Sequence, residues 1–126
     1  MKKAISTPKA PKAIGPYSQA IQAGNLLFLS GMLPVDPKTG EFASDTITGQ
    51  TDQIFKNIKA LLEEAGSDLD QVIKTTVFLS DMNNFAPMNE VYSTYLRQPY
   101  PARSAVAVKT LPKNALVEIE VIALLE

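Results

Sequence analysis

The sequence predicts one α/β domain of the α+β kind, a mixed β-sheet with two helices packed on one face, in the order ββαβαββ. Three observations lead there. Two segments repeat apolar residues at the three- and four-residue steps of a helix. They are set among five shorter β-branched or aromatic runs, so some strands must be joined by crossovers rather than hairpins, which makes the sheet mixed. The length, 126 residues, holds a single domain, 1–126, with no room for a second.

The elements follow in order. Residues 1–16 are rich in Lys, Ala and Pro and read as an extended lead-in. Tyr17 to Gln22 alternates, with Tyr17, Gln19 and Ile21 toward one face and Ser18, Ala20 and Gln22 toward the other. Ala23-Gly24-Asn25 is a turn signal, and Leu26 to Ser30 is apolar at both parities, so a hairpin is expected there. Asp36-Pro37-Lys38-Thr39-Gly40 is a further turn. The first helix is marked by Ile47, Thr51, Ile54, Ile58, Leu61, Leu62 and Ala65, with capping residues across Asp45 to Thr48 and a stop at Gly66. Val72 to Leu79 reads as a strand. A second helix, about Phe85 to Leu96, carries the stripe Phe85, Met88, Tyr92 and Tyr95, with Asn84 as its cap. Pro87 falls in its first turn, where a missing N–H costs nothing. Pro99-Tyr100-Pro101 breaks the chain. Arg103 to Val108 and Leu116 to Leu124 are the last two strands, joined through Leu111-Pro112-Lys113-Asn114.

Two helices cover one face of such a sheet. Several strands are apolar at both parities, so the other face must be buried as well, and in so short a chain a partner subunit is the expected cover. Composition narrows the function. Hydrophobic residues make up 45% and charged residues 20%, the ordinary balance of a globular protein. A formal charge of -1 without a basic cluster argues against a general nucleic-acid binder. The chain has no cysteine and no histidine, which excludes disulfides, thiol nucleophiles, Cys/His zinc sites and Ser-His or Cys-His dyads. Proton transfer near neutral pH falls to a carboxylate, tyrosine, lysine or water. Met1 to Lys12 is basic but has no apolar signal core, and the longest apolar stretch, Leu26 to Leu29, is far too short to span a bilayer. A cytoplasmic protein with no membrane attachment is the expectation.

Several residues could carry chemistry. Arg103 opens a strand whose same-face neighbours, Ala105 and Ala107, are small, leaving space for a pocket in which the guanidinium could grip a carboxylate through two parallel hydrogen bonds. The plainer reading is a surface arginine or an ion pair. Glu118 and Glu120 share one strand face with Leu116 and Ile122. That pattern fits a solvated face, or a partly buried carboxylate that holds or activates a water. Tyr17 follows Gly15-Pro16 at a strand start, where packing with a wet hydroxyl is the common role. Ser30-Gly31 ends an apolar strand, as a turn or as a place where backbone approaches a ligand. Asn89 borders the second helix's buried stripe, and its amide must find partners.

These residues coincide with a family pattern. Ala13-Ile14-Gly15-Pro16-Tyr17-Ser18-Gln19-Ala20, then Leu29-Ser30-Gly31 with Pro34-Val35-Asp36-Pro37-Lys38-Thr39-Gly40, resemble the first blocks of the Rid (reactive intermediate/imine deaminase, YjgF-type) family. Lys74-Thr75-Thr76-Val77-Phe78-Leu79 and Met88-Asn89-Glu90-Val91-Tyr92 resemble its middle. Tyr100-Pro101-Ala102-Arg103-Ser104, Leu111-Pro112-Lys113 and Val117-Glu118-Ile119-Glu120-Val121-Ile122-Ala123 resemble its end. The resemblance spans nearly the whole chain and points to the deaminase subgroup. It implies a chorismate-mutase-like fold and a homotrimer with sites in clefts between subunits. It implies hydrolysis of 2-iminobutanoate and 2-iminopropanoate to 2-keto acids and ammonia, without metal or cofactor. Under it Arg103 holds the substrate carboxylate, Glu118 positions the attacking water, and Tyr17, Ser30, Gly31 and Asn89 line the pocket. One departure is visible: many relatives have cysteine where this chain has Ala105, so any role of that thiol is absent. Two other readings compete. One is an endoribonuclease or translation inhibitor, which the charge and the lack of histidine and of a basic stripe oppose. The other is a non-catalytic sensor of small carboxylates, which needs Arg103 but not Glu118.

Overall fold

The computed structural model describes residues 1–125. Eight elements follow one another: β1 (Lys2–Ile5), β2 (Ala20–Ala23), β3 (Leu26–Met32), α1 (Ile47–Glu64), β4 (Val72–Leu79), α2 (Phe85–Tyr95), β5 (Ala102–Ala107) and β6 (Val117–Leu124). All six strands form one sheet in the order β1-β2-β3-β6-β4-β5. Every neighbouring pair is antiparallel except β4 and β5, which are parallel and joined by the α2 crossover.

The order predicted from sequence is present, with one strand added in front. Lys2–Ile5, expected as part of an extended lead-in, is a sheet strand; it pairs antiparallel with β2, Lys2 opposite Ala23 and Ile5 opposite Ala20. A short edge strand beginning Lys-Lys has no hydrophobic alternation to reveal it, and lysines on such an edge discourage pairing with other chains. The strand expected from Tyr17 begins only at Ala20, because Gly15 takes φ +117° and Tyr17 N donates to Gly15 O at 2.9 Å, bending the chain first. The hairpin turns on Gly24, φ +60°, a conformation that favours glycine in a two-residue connection.

α1 is capped by Thr46, whose side chain accepts from Gly49 N, and Gly66 follows its end at φ +85°. Asn84 stands at the N-cap position of α2, but its side chain makes no capping bond; a single helical turn, Met82–Asn84, leads into the helix instead. The core lies between the helices and one sheet face. Ile54, Phe55, Ile58, Leu61 and Leu62 of α1 belong to one buried cluster with Leu27, Leu29, Val77, Leu79, Val117, Ile119 and Val121. Burial of each such side chain stabilises by about 1.5–3 kcal/mol before the entropy of ordering is counted. Strand alternation places Phe28, Phe78, Ser104, Val106, Glu118, Glu120 and Ile122 on the opposite face. No helix of the described residues covers that face, and Phe28 and Val106 are 41% and 45% exposed there. This is the chorismate-mutase-like arrangement, with the sheet's second face bare.

Candidate functional site

Glu118 sits in β6 opposite Phe78 of β4, on the bare face. Beside it β3 is irregular: Leu29 pairs with Val121 and Met32 with Ile119, and Ser30-Gly31 fall between. That irregularity brings the Gly31 backbone against the Glu118 carboxylate. A Cβ at residue 31 would stand 2.6 Å from Oε2 and 2.8 Å from Cδ, so only glycine fits while Glu118 keeps its place. Half-burial raises the Glu118 pKa above the ordinary carboxylate value, and the neighbouring Glu120 charge raises it further.

Ser30 is held at both ends: its N–H donates to Gln19 O at 3.0 Å and its hydroxyl to Ser18 O at 2.7 Å. Tyr17 is 53% exposed, and its hydroxyl accepts from Ile14 N at 3.3 Å. Tyr17, Ser30, Gly31 and Glu118 line one cleft of about 800 Å³, together with Lys12 and Lys113, which the sequence had not singled out. Gln19, another lining residue, ties the N-terminal segment to this wall. Its Nε2 donates to the carbonyls of Thr7, Ala10 and Pro11, and its Oε1 accepts from Thr7 N.

Arg103 and Asn89 lie elsewhere. Arg103 is in the edge strand β5, opposite Thr75 in register and therefore on the helix-bearing face. Its guanidinium carbon stands 4.7 Å from the Tyr92 ring centroid and 5.3 Å from that of Phe85. Its NH1 donates to Asn89 Oδ1 at 2.6 Å. Among the described residues, no carboxylate lies within ion-pair reach of Arg103. The fork therefore keeps donors for an incoming anion.

Tyr17, Ser30, Gly31 and Glu118 thus form one group, and Asn89 and Arg103 a second, on opposite faces of the sheet. One chain does not bring the two together. The aromatic platform under Arg103 was not recognised from sequence, where Phe85 and Tyr92 read simply as core. The signal was the spacing of Phe85, Asn89 and Tyr92 at i, i+4 and i+7, one helix face. No group of three or more acidic side chains among the described residues is placed to hold a metal ion. No helix among them is long and apolar enough to cross a membrane.

Fold and site features together define a small α+β protein with an open guanidinium at a sheet edge and a half-buried carboxylate in a cleft. The sequence profile of the family described as Endoribonuclease L-PSP matches residues 7–125. The chain belongs to that family, the YjgF/RutC/Rid family. A RutC family protein of Pyrococcus horikoshii is 59% identical over 98% of this chain and 98% of its own. The 2-iminobutanoate/2-iminopropanoate deaminase of Mus musculus is 46% identical over 98% of this chain and 91% of its own. Among solved structures, a Thermotoga maritima protein provisionally named an endoribonuclease superposes with a TM-score of 0.96 at 52% identity, covering 100% of this chain and 99% of that one.

Proposed function

We propose that this protein hydrolyses 2-imino acids, 2-iminobutanoate and 2-iminopropanoate among them, to 2-keto acids and ammonia. The observation that carries this reading is the Arg103 guanidinium, stacked on two rings, fixed by Asn89 and without a carboxylate partner among the described residues. Such a fork takes a planar carboxylate through two parallel bonds. The family membership and the named activity of the mouse relative support the same substrate class.

The second requirement is a water directed at the imine carbon. Glu118, half-buried and raised in pKa, is suited to take a proton from that water and pass it to the departing nitrogen. Water adds across C=N, the tetrahedral carbinolamine forms, and loss of ammonia leaves the keto group. An imine hydrolyses unaided in water, so positioning alone supplies much of the rate. The two groups lie on opposite sheet faces of one chain, which supports a working site formed between copies. Arg103 and Asn89 of one copy would meet Tyr17, Ser30, Gly31 and Glu118 of its neighbour, in a homotrimer whose contacts cover the bare face.

The test generates 2-iminobutanoate in situ with an amino-acid oxidase or dehydratase and follows its capture by semicarbazide. Added protein should divert the imine to the keto acid and depress capture. Arg103→Lys, which keeps charge but loses the fork, should abolish most of that effect. Undiminished capture with the parent protein would remove the reading. The family's name favours a second reading, cleavage of RNA. The net charge of -1 and the absence of histidine oppose it. RNA left intact under conditions where the imine is consumed would rank the two.

A further inference from the structure

We propose that Tyr92, fixed by Thr75, is a positioning residue for Arg103 and sets how tightly the protein grips a carboxylate. The inference rests on the carboxylate role of Arg103 argued above, and deepens it.

Three residues close a triangle. Thr75 and Arg103 face each other in the β4–β5 register, so backbone pairing fixes their separation. The Thr75 hydroxyl shares a 2.8 Å hydrogen bond with the Tyr92 hydroxyl. The Tyr92 ring then carries the Arg103 guanidinium 4.7 Å above its centroid. Both members of the hydroxyl pair are buried, Thr75 fully and Tyr92 at 4% exposure. The Phe55 ring meets the Tyr92 ring edge-on, centroids 5.6 Å apart at 85°, so the ring cannot swing away from the guanidinium.

The plain alternative is a core hydrogen bond that satisfies a buried tyrosine and nothing more. Position 92 argues against that. A residue wanted only for packing needs no hydroxyl, and phenylalanine at 92 with valine at 75 would fill the same space without a polar pair to satisfy. The hydroxyl pair instead fixes the tilt of the nearer of the two rings whose faces an exposed, otherwise mobile arginine uses. An arginine held this way has lost its rotamer freedom before an anion arrives, so less of the binding energy goes into ordering it.

The test compares Thr75→Val, Tyr92→Phe and Tyr92→Leu with the parent, and uses Tyr95→Phe as control. Tyr95 also stacks on Phe55 and donates to Asp52 at 2.5 Å, but does not touch Arg103, so its variant reports the general cost of losing an α2 hydroxyl bond. Two readouts are taken. Nitrogen relaxation at Arg103 Nε gives the order of the side chain without any ligand. Titration with pyruvate gives carboxylate affinity, and imine turnover separates KM from kcat. Arg103 should be rigid in the parent and in Tyr95→Phe, and mobile in Tyr92→Leu. Pyruvate should bind about tenfold more weakly to Tyr92→Leu and about threefold more weakly to the other two. KM should rise in step with kcat nearly unchanged, since the carboxylate is gripped equally in ground and transition states.

Loss of melting temperature with parental Arg103 order and parental pyruvate affinity would make Thr75–Tyr92 a core bond only and overturn the proposal. Should Tyr92→Leu fail to fold, Thr75→Val and Tyr92→Phe decide the question. A parent that does not bind pyruvate would defeat the carboxylate reading. Arg103 order would then judge the positioning role by itself: mobility gained in the variants upholds it, and unchanged rigidity overturns it.

Discussion

The contact between Gly31 and Glu118 shows how little room this cleft leaves. A Cβ at residue 31 would stand 2.6 Å from a carboxylate oxygen, so Gly31→Ala must turn Glu118 aside. Turnover should fall by about 10- to 100-fold, the usual effect of a misplaced catalytic group, while the fold persists. Turnover within twofold of the parent would show that the carboxylate's position is unimportant. Glu118 also leaves a thermodynamic trace. Its folded pKa is raised, so its protonated form favours the fold. That contribution is present below the ordinary value of 4.5 and is lost as pH rises through the raised one. Glu118→Gln mimics the protonated acid at every pH. Its melting temperature should exceed the parent's at pH 7, with the gap closing as pH falls toward about 4. Equal melting temperatures at pH 7 would mean that Glu118 pays no burial cost. At this scale the small neighbours of Arg103 on its strand face suggested open space, but the guanidinium's actual supports, Phe85, Asn89 and Tyr92, come from α2 and were not read from that pattern. Strand pattern alone did not choose between Glu118 and Glu120; the family resemblance named Glu118. Strand parity puts both on one face, but only the irregular β3 backbone decides which of them is overhung.

At the scale of elements, buried amides fasten irregular chain to regular structure. Asn57 projects from α1 and donates to the carbonyls of Leu33 and Val35, at 3.3 and 2.9 Å, while its Oδ1 accepts from Gln53. Gln50, two turns earlier, accepts from Leu116 N and donates to Ser44 O. These bonds hold loops that the sheet cannot reach, and Leu33 and Val35 both line the cleft. Asn57→Ala strands the buried Val35 carbonyl and the partly buried Leu33 carbonyl and should destabilise by about 2–4 kcal/mol in denaturant unfolding. A loss under about 0.5 kcal/mol would show that water replaces the amide. The helices themselves were legible because α1 repeats its apolar residues over five turns and is bracketed by Thr46 and Gly66. β1 was not, since its strand character comes from pairing with β2 rather than from its own residues. The Tyr17 segment misled for the opposite reason. Its alternation is real, but Gly15 and Gln19 bind it into a bend.

For the whole molecule, the bare sheet face and the divided site are one problem. Apolar residues at both parities of β3, β4 and β6 already call for a second cover, and the structure leaves Phe28 and Val106 exposed where that cover belongs. Sedimentation should give a particle of about 41 kDa, three copies of the 13.7 kDa chain. Phe28→Glu, a charge placed on that face, should shift it toward monomer and abolish turnover without touching a site residue. A parent that sediments as a monomer would contradict the assembly. The division of the site could not be derived from the residue pattern, although the family resemblance implied sites between subunits. Parity assigns faces within a strand, but relating Arg103 to Glu118 needs the strand order β6-β4-β5, which crossovers hide. The most direct measurement therefore mixes subunits. Arg103→Ala and Glu118→Gln, each inactive alone, are unfolded together and refolded. A cyclic assembly that pairs Arg103 of one copy with Glu118 of the next should recover about one quarter of parental imine turnover at equal mixing. A mixture as inactive as either variant alone would place the site within one chain and contradict the account.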